Sequence, residues 1–199
     1  LQSIAAFNQL MCNIAGPNMI CIKGGYDILA TGDFGQVRSE DDWFIVARAM
    51  YRLYSESRHT LVLPVTNKGE MSPEVKTLLE NSFNTIIAKK YKESVEKLEA
   101  YLLEKPLNPY EKANLANALA NGYYHLAEHD KAMHYFEQAV QANYLIPKIA
   151  FNAEDVLSKL YLHKRQYKTY VRFTAGLMAR VRQDQDILPR HTIEKATQL

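Results

Sequence analysis

The sequence predicts a mainly α-helical protein. Its larger part, residues 71–182, reads as three helix–turn–helix repeats with a period of 38 residues, preceded by a small mixed α/β unit over 1–70. Two observations carry this. At an offset of 38 the chain aligns with itself: Tyr91, His129 and Tyr167 coincide, as do Ser94, Ala132 and Tyr170, then Ser82, Ala120 and Ser158, then Thr85, Tyr123 and Tyr161. Self-similarity at a fixed period of a few tens of residues marks stacked supersecondary units. The punctuation also changes along the chain. Gly16, Gly24, Gly25, Gly32, Gly35 and Gly69 account for six of the eight glycines, whereas from Met71 onward the breaks are made mainly by Pro, Asn and Asp.

The first unit opens with SIAAFNQLMCNIA, a short helix that stops at Gly16-Pro17. NMICIKGGYDILATGDFG then reads as two short strands broken by Gly24-Gly25 and closed by a turn at Gly32-Asp33. Ser39 is an N-cap with Asp42 three residues later, which starts a helix with acidic residues at its positive end. Phe44, Ala47, Met50, Tyr51 and Tyr54 lie at helical spacing and are expected to form its buried face. TLVLPV is an extended segment limited by Pro64. Cys12 and Cys21 flank the turn IAGPN; two buried thiols and a disulfide in an oxidising compartment are both open to them.

Beyond Met71 the expected helices cover 73–89, 91–104, 109–127, 130–142, 147–163 and 166–181, grouped in repeats of about 71–106, 107–144 and 145–182. The tail, 183–199, is expected to form a capping helix over the apolar side of the last repeat, because terminal repeats need such cover. Composition narrows the functional classes. A net charge of +2 gives no global attraction to nucleic acid or membrane, and there is no apolar run long enough to span a bilayer. No signal peptide is recognisable, and a first residue of Leu instead of Met points to a processed or excised chain.

The middle repeat, LANALANGYYHLAEHDKAMHYFEQAV, resembles the tetratricopeptide repeat. Leu119, Ala120 and Tyr123 stand where that motif has its Leu, small residue and Tyr on the first helix, and Ala132, Phe136 and Ala139 where it has Ala, an aromatic and Ala on the second. The outer copies depart from it, with Thr85 in place of the Tyr and Tyr170 in place of the small residue. The resemblance implies a short right-handed superhelix whose concave face binds a protein or peptide partner, without cofactor or metal. Within that class the first and third copies look like bacterial cell-envelope repeat proteins linked with TonB-type systems. That likeness favours periplasm or cell envelope, with cytoplasm as the alternative.

Carried over at the same offset, the groove positions are Lys76, Leu79 and Phe83, then Asn114, Asn117, Asn121 and Tyr124, then Asn152, Asp155 and Lys159, with His125 at the edge. Asn114, Asn117 and Asn121 fall on one helix face, and each amide offers a donor and an acceptor, which suits a clamp on peptide backbone. A second candidate surface is basic. From Val156 to Gln183 there is no acidic residue, while Lys164, Arg165, Lys168, Arg172 and Arg180 supply positive charge for RNA, an anionic headgroup or an acidic partner.

Two catalytic signatures are weaker. Asp33-Phe34-Gly35 lacks the Gly-rich loop and catalytic loop that a kinase needs, so it is expected to be a tight turn around a buried Phe. An enzyme site in 1–70 would have to draw on Asp27, Asp33, Asp41, Asp42 and His59, which nothing in the sequence pairs. His125-Leu126-Ala127-Glu128-His129 fits a zinc-peptidase pattern, but both histidines would then have to project from one continuous helix. The self-alignment instead puts an inter-helix turn between them.

Overall fold

The computed structural model describes residues 18–180 and 188–199, with side chains described from residue 23 onward in the first helix. The expected helix over 3–15, the turn at Gly16-Pro17 and the state of Cys12 and Cys21 lie outside the described residues. Nine α-helices occur among the described residues: α1 (Asn18–Thr31), α2 (Glu40–Ser57), α3 (Pro73–Ile87), α4 (Tyr91–Glu104), α5 (Pro109–His125), α6 (His129–Ala142), α7 (Pro147–His163), α8 (Tyr167–Met178) and α9 (Arg190–Thr197). Two compact units contain them, one of residues 1–62 with 161–199 and one of residues 63–160.

In the first unit the expected strands are absent, and a helix takes their place: Asn18–Thr31 is the helix α1, and no strand occurs among the described residues. The reason lies in Gly25. A Cβ there would sit 2.6 Å from the Ile45 carbonyl oxygen and 3.0 Å from the Ala49 Cβ, so this glycine marks the close approach of α1 to α2 and not a break in the chain. The turn expected at Gly32 is present, with φ +65°. Phe34 is buried and stacks on Trp43 with ring centroids 6.2 Å apart, as the tight-turn reading of Asp33-Phe34-Gly35 requires.

Helix α2 begins with the expected capping box. The Asp42 N–H donates to Ser39 Oγ at 3.1 Å, and the Ser39 N–H donates to Asp42 Oδ2 at 3.0 Å. Its buried face consists of Val46, Ala47, Ala49, Met50, Leu53, Tyr54 and Ser57. Phe44 and Tyr51, expected on that face, are 39% and 47% exposed: they lie seven residues apart along its edge, and Phe44 packs instead on the Tyr167 ring at 5.2 Å. Helices α1, α2, α8 and α9 pack in a closed cycle, each touching the next and α9 returning to α1. Their core includes Leu29, Met50, Tyr170, Val171, Met178 and Ala196.

The second unit opens with an extended segment. Its Asn67 N–H donates to the Asn143 carbonyl at 2.8 Å, and helices α3 to α6 then follow as antiparallel-type hairpins joined by short turns. The two turns within α3–α4 and α5–α6 have the same build. Lys89 and Ala127 are left-handed, with φ 59° and 58°, and the next N–H reaches back five residues, Lys90 to the Thr85 carbonyl at 2.9 Å and Glu128 to the Tyr123 carbonyl at 3.0 Å. This is the Schellman closure of a helix C-terminus. In the other unit Arg165 (φ 58°) and the Gln166 N–H to the Tyr161 carbonyl, 2.9 Å, repeat it.

Small residues set the spacing inside the hairpins. Ala120 and Ala132 are fully buried, and in the first hairpin Ser82 and Ser94 exchange a buried hydrogen bond of 2.7 Å. Gly122 brings α5 against α4, since a Cβ there would meet Val95 Cγ2 at 2.6 Å. One carboxylate ties the two helix starts together. Buried Glu111 accepts the Ser72 N–H at 2.9 Å and the Asn108 N–H at 3.0 Å, and these two residues are the N-caps of α3 and α5.

Candidate functional site

Helices α3, α5 and α7 each turn one stripe toward a common cavity of about 460 Å³. Leu79, Ser82, Phe83 and Ile86 come from α3, Asn114, Asn117, Ala118 and Asn121 from α5, and Ile149, Asn152, Ala153 and Val156 from α7. Each set has the i, i+3, i+4, i+7 spacing of a single helix face. His125 and Phe136 complete the lining, so among the described residues no Lys, Arg, Asp or Glu contributes to it. Phe83 is 64% exposed and forms an apolar shoulder, while Phe136 is buried at the floor.

The amides along α5 are not equivalent. Asn114 Nδ2 donates to the Tyr110 carbonyl at 2.9 Å and Asn121 Nδ2 to the Asn117 carbonyl at 2.7 Å, both within their own helix. The side-chain oxygens of Asn114 and Asn121 are thus left as acceptors. Asn117 makes no side-chain hydrogen bond among the described residues and keeps both a donor and an acceptor. His125 is fixed at the end of this row by stacking on Tyr91, with ring centroids 4.7 Å apart and planes 9° from parallel.

Seven of the residues expected in the groove line this cavity: Leu79, Phe83, Asn114, Asn117, Asn121, His125 and Asn152. Four do not. Lys76 is exposed outside the lining, and Tyr124 stands behind His125, 38% exposed with ring centroids 5.9 Å away. Asp155 is buried and bonded at 2.8 Å by Lys159, which is itself exposed. The cause is a drift of the lining. From α3 to α5 to α7 the lining residues advance by 35, as in Leu79, Asn114 and Ile149, whereas the turns after these helices, at Lys89, Ala127 and Arg165, advance by 38. The groove floor therefore slips back nearly one helical turn per helix, which exchanges Lys76, Asp155 and Lys159 for Ile86, Ile149 and Val156. Sequence equivalence alone carries no signal of that slip.

The basic candidates lie in and around α8. Lys164, Arg165, Lys168 and Arg172 are exposed and Arg180 is half-buried. Lys168 Nζ stands 5.8 Å from the Trp43 ring centroid. The loose acidic candidates of the first unit do not converge: Asp42 is committed to its capping box, Asp33 accepts a hydrogen bond from Gln36, and Asp27, Asp41 and His59 are exposed.

At His125–His129 the chain turns. His125 ends α5, Ala127 is left-handed, and His129 begins α6, so the two histidines belong to different helices. Among the described residues no three His, Cys, Asp or Glu side chains are grouped as metal ligands would be. Comparison with known proteins returned no matching family model, no matching curated protein and no matching solved structure.

Proposed function

We infer that the protein is a non-enzymatic binding scaffold: three tetratricopeptide-like repeats of period 38 form a short right-handed superhelix that holds a protein or peptide partner in its concave groove. The observation that carries this reading is the cavity itself, to which three successive first helices of hairpins each give one face. A lining of amide groups with open oxygens, over an apolar floor, suits a chain that offers backbone donors and acceptors together with apolar side chains. The setting we propose, from the likeness of the repeats, is an assembly of the bacterial cell envelope.

The test is to replace Asn117 and Asn121 together by Ala. Capture of the partner by the intact chain is expected to fall at least about tenfold, a loss of about 1.4 kcal/mol, with helical circular dichroism unchanged. Undiminished capture would overturn the reading. Capture that instead weakens steeply with salt would favour the exposed cations of α8 as the docking surface.

A further inference from the structure

The chemistry of the lining says more than that a peptide enters. Resting on the groove reading above, we propose that the occupant is an extended, uncharged and largely apolar segment recognised through one edge of its backbone. The geometry of α5 supplies the argument. With a rise of about 1.5 Å per residue, Asn114, Asn117 and Asn121 span about 10.5 Å along the helix. An extended chain advances about 3.3 Å per residue, so this row faces about three of its residues.

One edge of an extended chain presents the N–H and C=O of one residue, skips the next, and presents both again. The row offers an acceptor and one N–H at Asn114, an acceptor and both N–H groups at Asn117, and an acceptor and one N–H at Asn121, because the helix backbone engages one N–H of each of the other two amides. Asn117 is therefore the one residue of the row with its whole amide open to a peptide N–H and C=O together. A helical ligand would not match, since its backbone groups are bonded internally and its sides offer only side chains.

Neutrality follows from the same lining. A charged side chain entering the cavity loses water and meets no opposite charge among the described lining residues, a penalty that the apolar Leu79, Ile86, Ala118, Ile149, Ala153 and Val156 cannot offset. These residues instead reward aliphatic or aromatic side chains on the ligand positions that alternate with the backbone contacts. The groove thus excludes both acidic and basic segments, and it does so without any repelling charge of its own.

The probe is an array of synthetic nonapeptides with both ends blocked, presented to the full 199-residue chain. Binders are expected to carry no Lys, Arg, Asp or Glu in their central three positions. Their affinity should change less than about twofold between low and high salt, since no ion pair or counterion release is involved. N-methylation of alternate central residues should weaken binding at least tenfold in one register and little in the other. Asn117→Leu should lose at least tenfold.

Asn152→Lys, an exposed position on the opposite wall, should disfavour the neutral binders and admit acidic peptides. Binders with charged centres that still depend on Asn117 would overturn the neutral occupant and leave the groove in place. Neutral binders indifferent to both Asn117→Leu and Asn152→Lys would overturn the groove itself. An array without binders would overturn the extended occupant.

Discussion

Glu111 shows how much one side chain organises. Its two oxygens accept backbone N–H groups from the caps of two helices, and the hydrogen bond from the Ser72 side chain, then those from the Ser72 and Asn108 backbones, hold its carboxyl below the ordinary 4.5. A carboxyl with a lowered folded value stabilises the fold above 4.5 and stops doing so as pH falls through that lowered value. Glu111→Gln is expected to cost about 1–2 kcal/mol at neutral pH. It should also flatten the stability profile on the acid side, which urea unfolding at about pH 7 and about pH 3 would read. Ala127 makes the opposite case. It holds a left-handed φ of 58° that glycine adopts without strain, so Ala127→Gly should raise the urea midpoint by the equivalent of about 0.5–1 kcal/mol. A lowered midpoint would show that the closing turn needs the methyl group.

Between helices, contact distances rather than residue classes decide the fit. Gly122→Ala forces a methyl group to within 2.6 Å of Val95 Cγ2 and should cost about 1–3 kcal/mol. Val95→Ala in the same chain should return part of that loss, and a double-mutant cycle in thermal unfolding measures the coupling; strict additivity would place the cost elsewhere. Helix limits were legible in the sequence to within about two to three residues, because Ser72, Asn108 and the left-handed turns are strong local signals.

The N-terminal strands were misread because Gly24-Gly25 looks like punctuation until the crossing with Ile45 and Ala49 is seen. The asparagine row was legible, since spacing along one helix fixes its face. The apolar wall at Ile149 and Val156 was not, because the slip of the groove from helix to helix depends on packing angles that no single segment encodes.

At the scale of the molecule the two units differ in how the chain supplies them. Residues 63–160 are contiguous, and their helices pack mostly on sequence neighbours. The other unit joins 18–62 to 161–199, so α2 meets its partner α8 only across the intervening stretch. A chain ending after His163, at the close of α7, should keep amide protection in α4, α5 and α6, and should lose it in α1 and α2. Equal protection in both sets by hydrogen exchange would refute this. The same split has a meaning during synthesis. At about 5–20 residues per second, the ribosome needs on the order of 5–20 seconds to pass from the end of α2 to α8. For that interval the side of α2 that α8 will later cover faces solvent on the nascent chain, a window in which any other apolar surface competes for it.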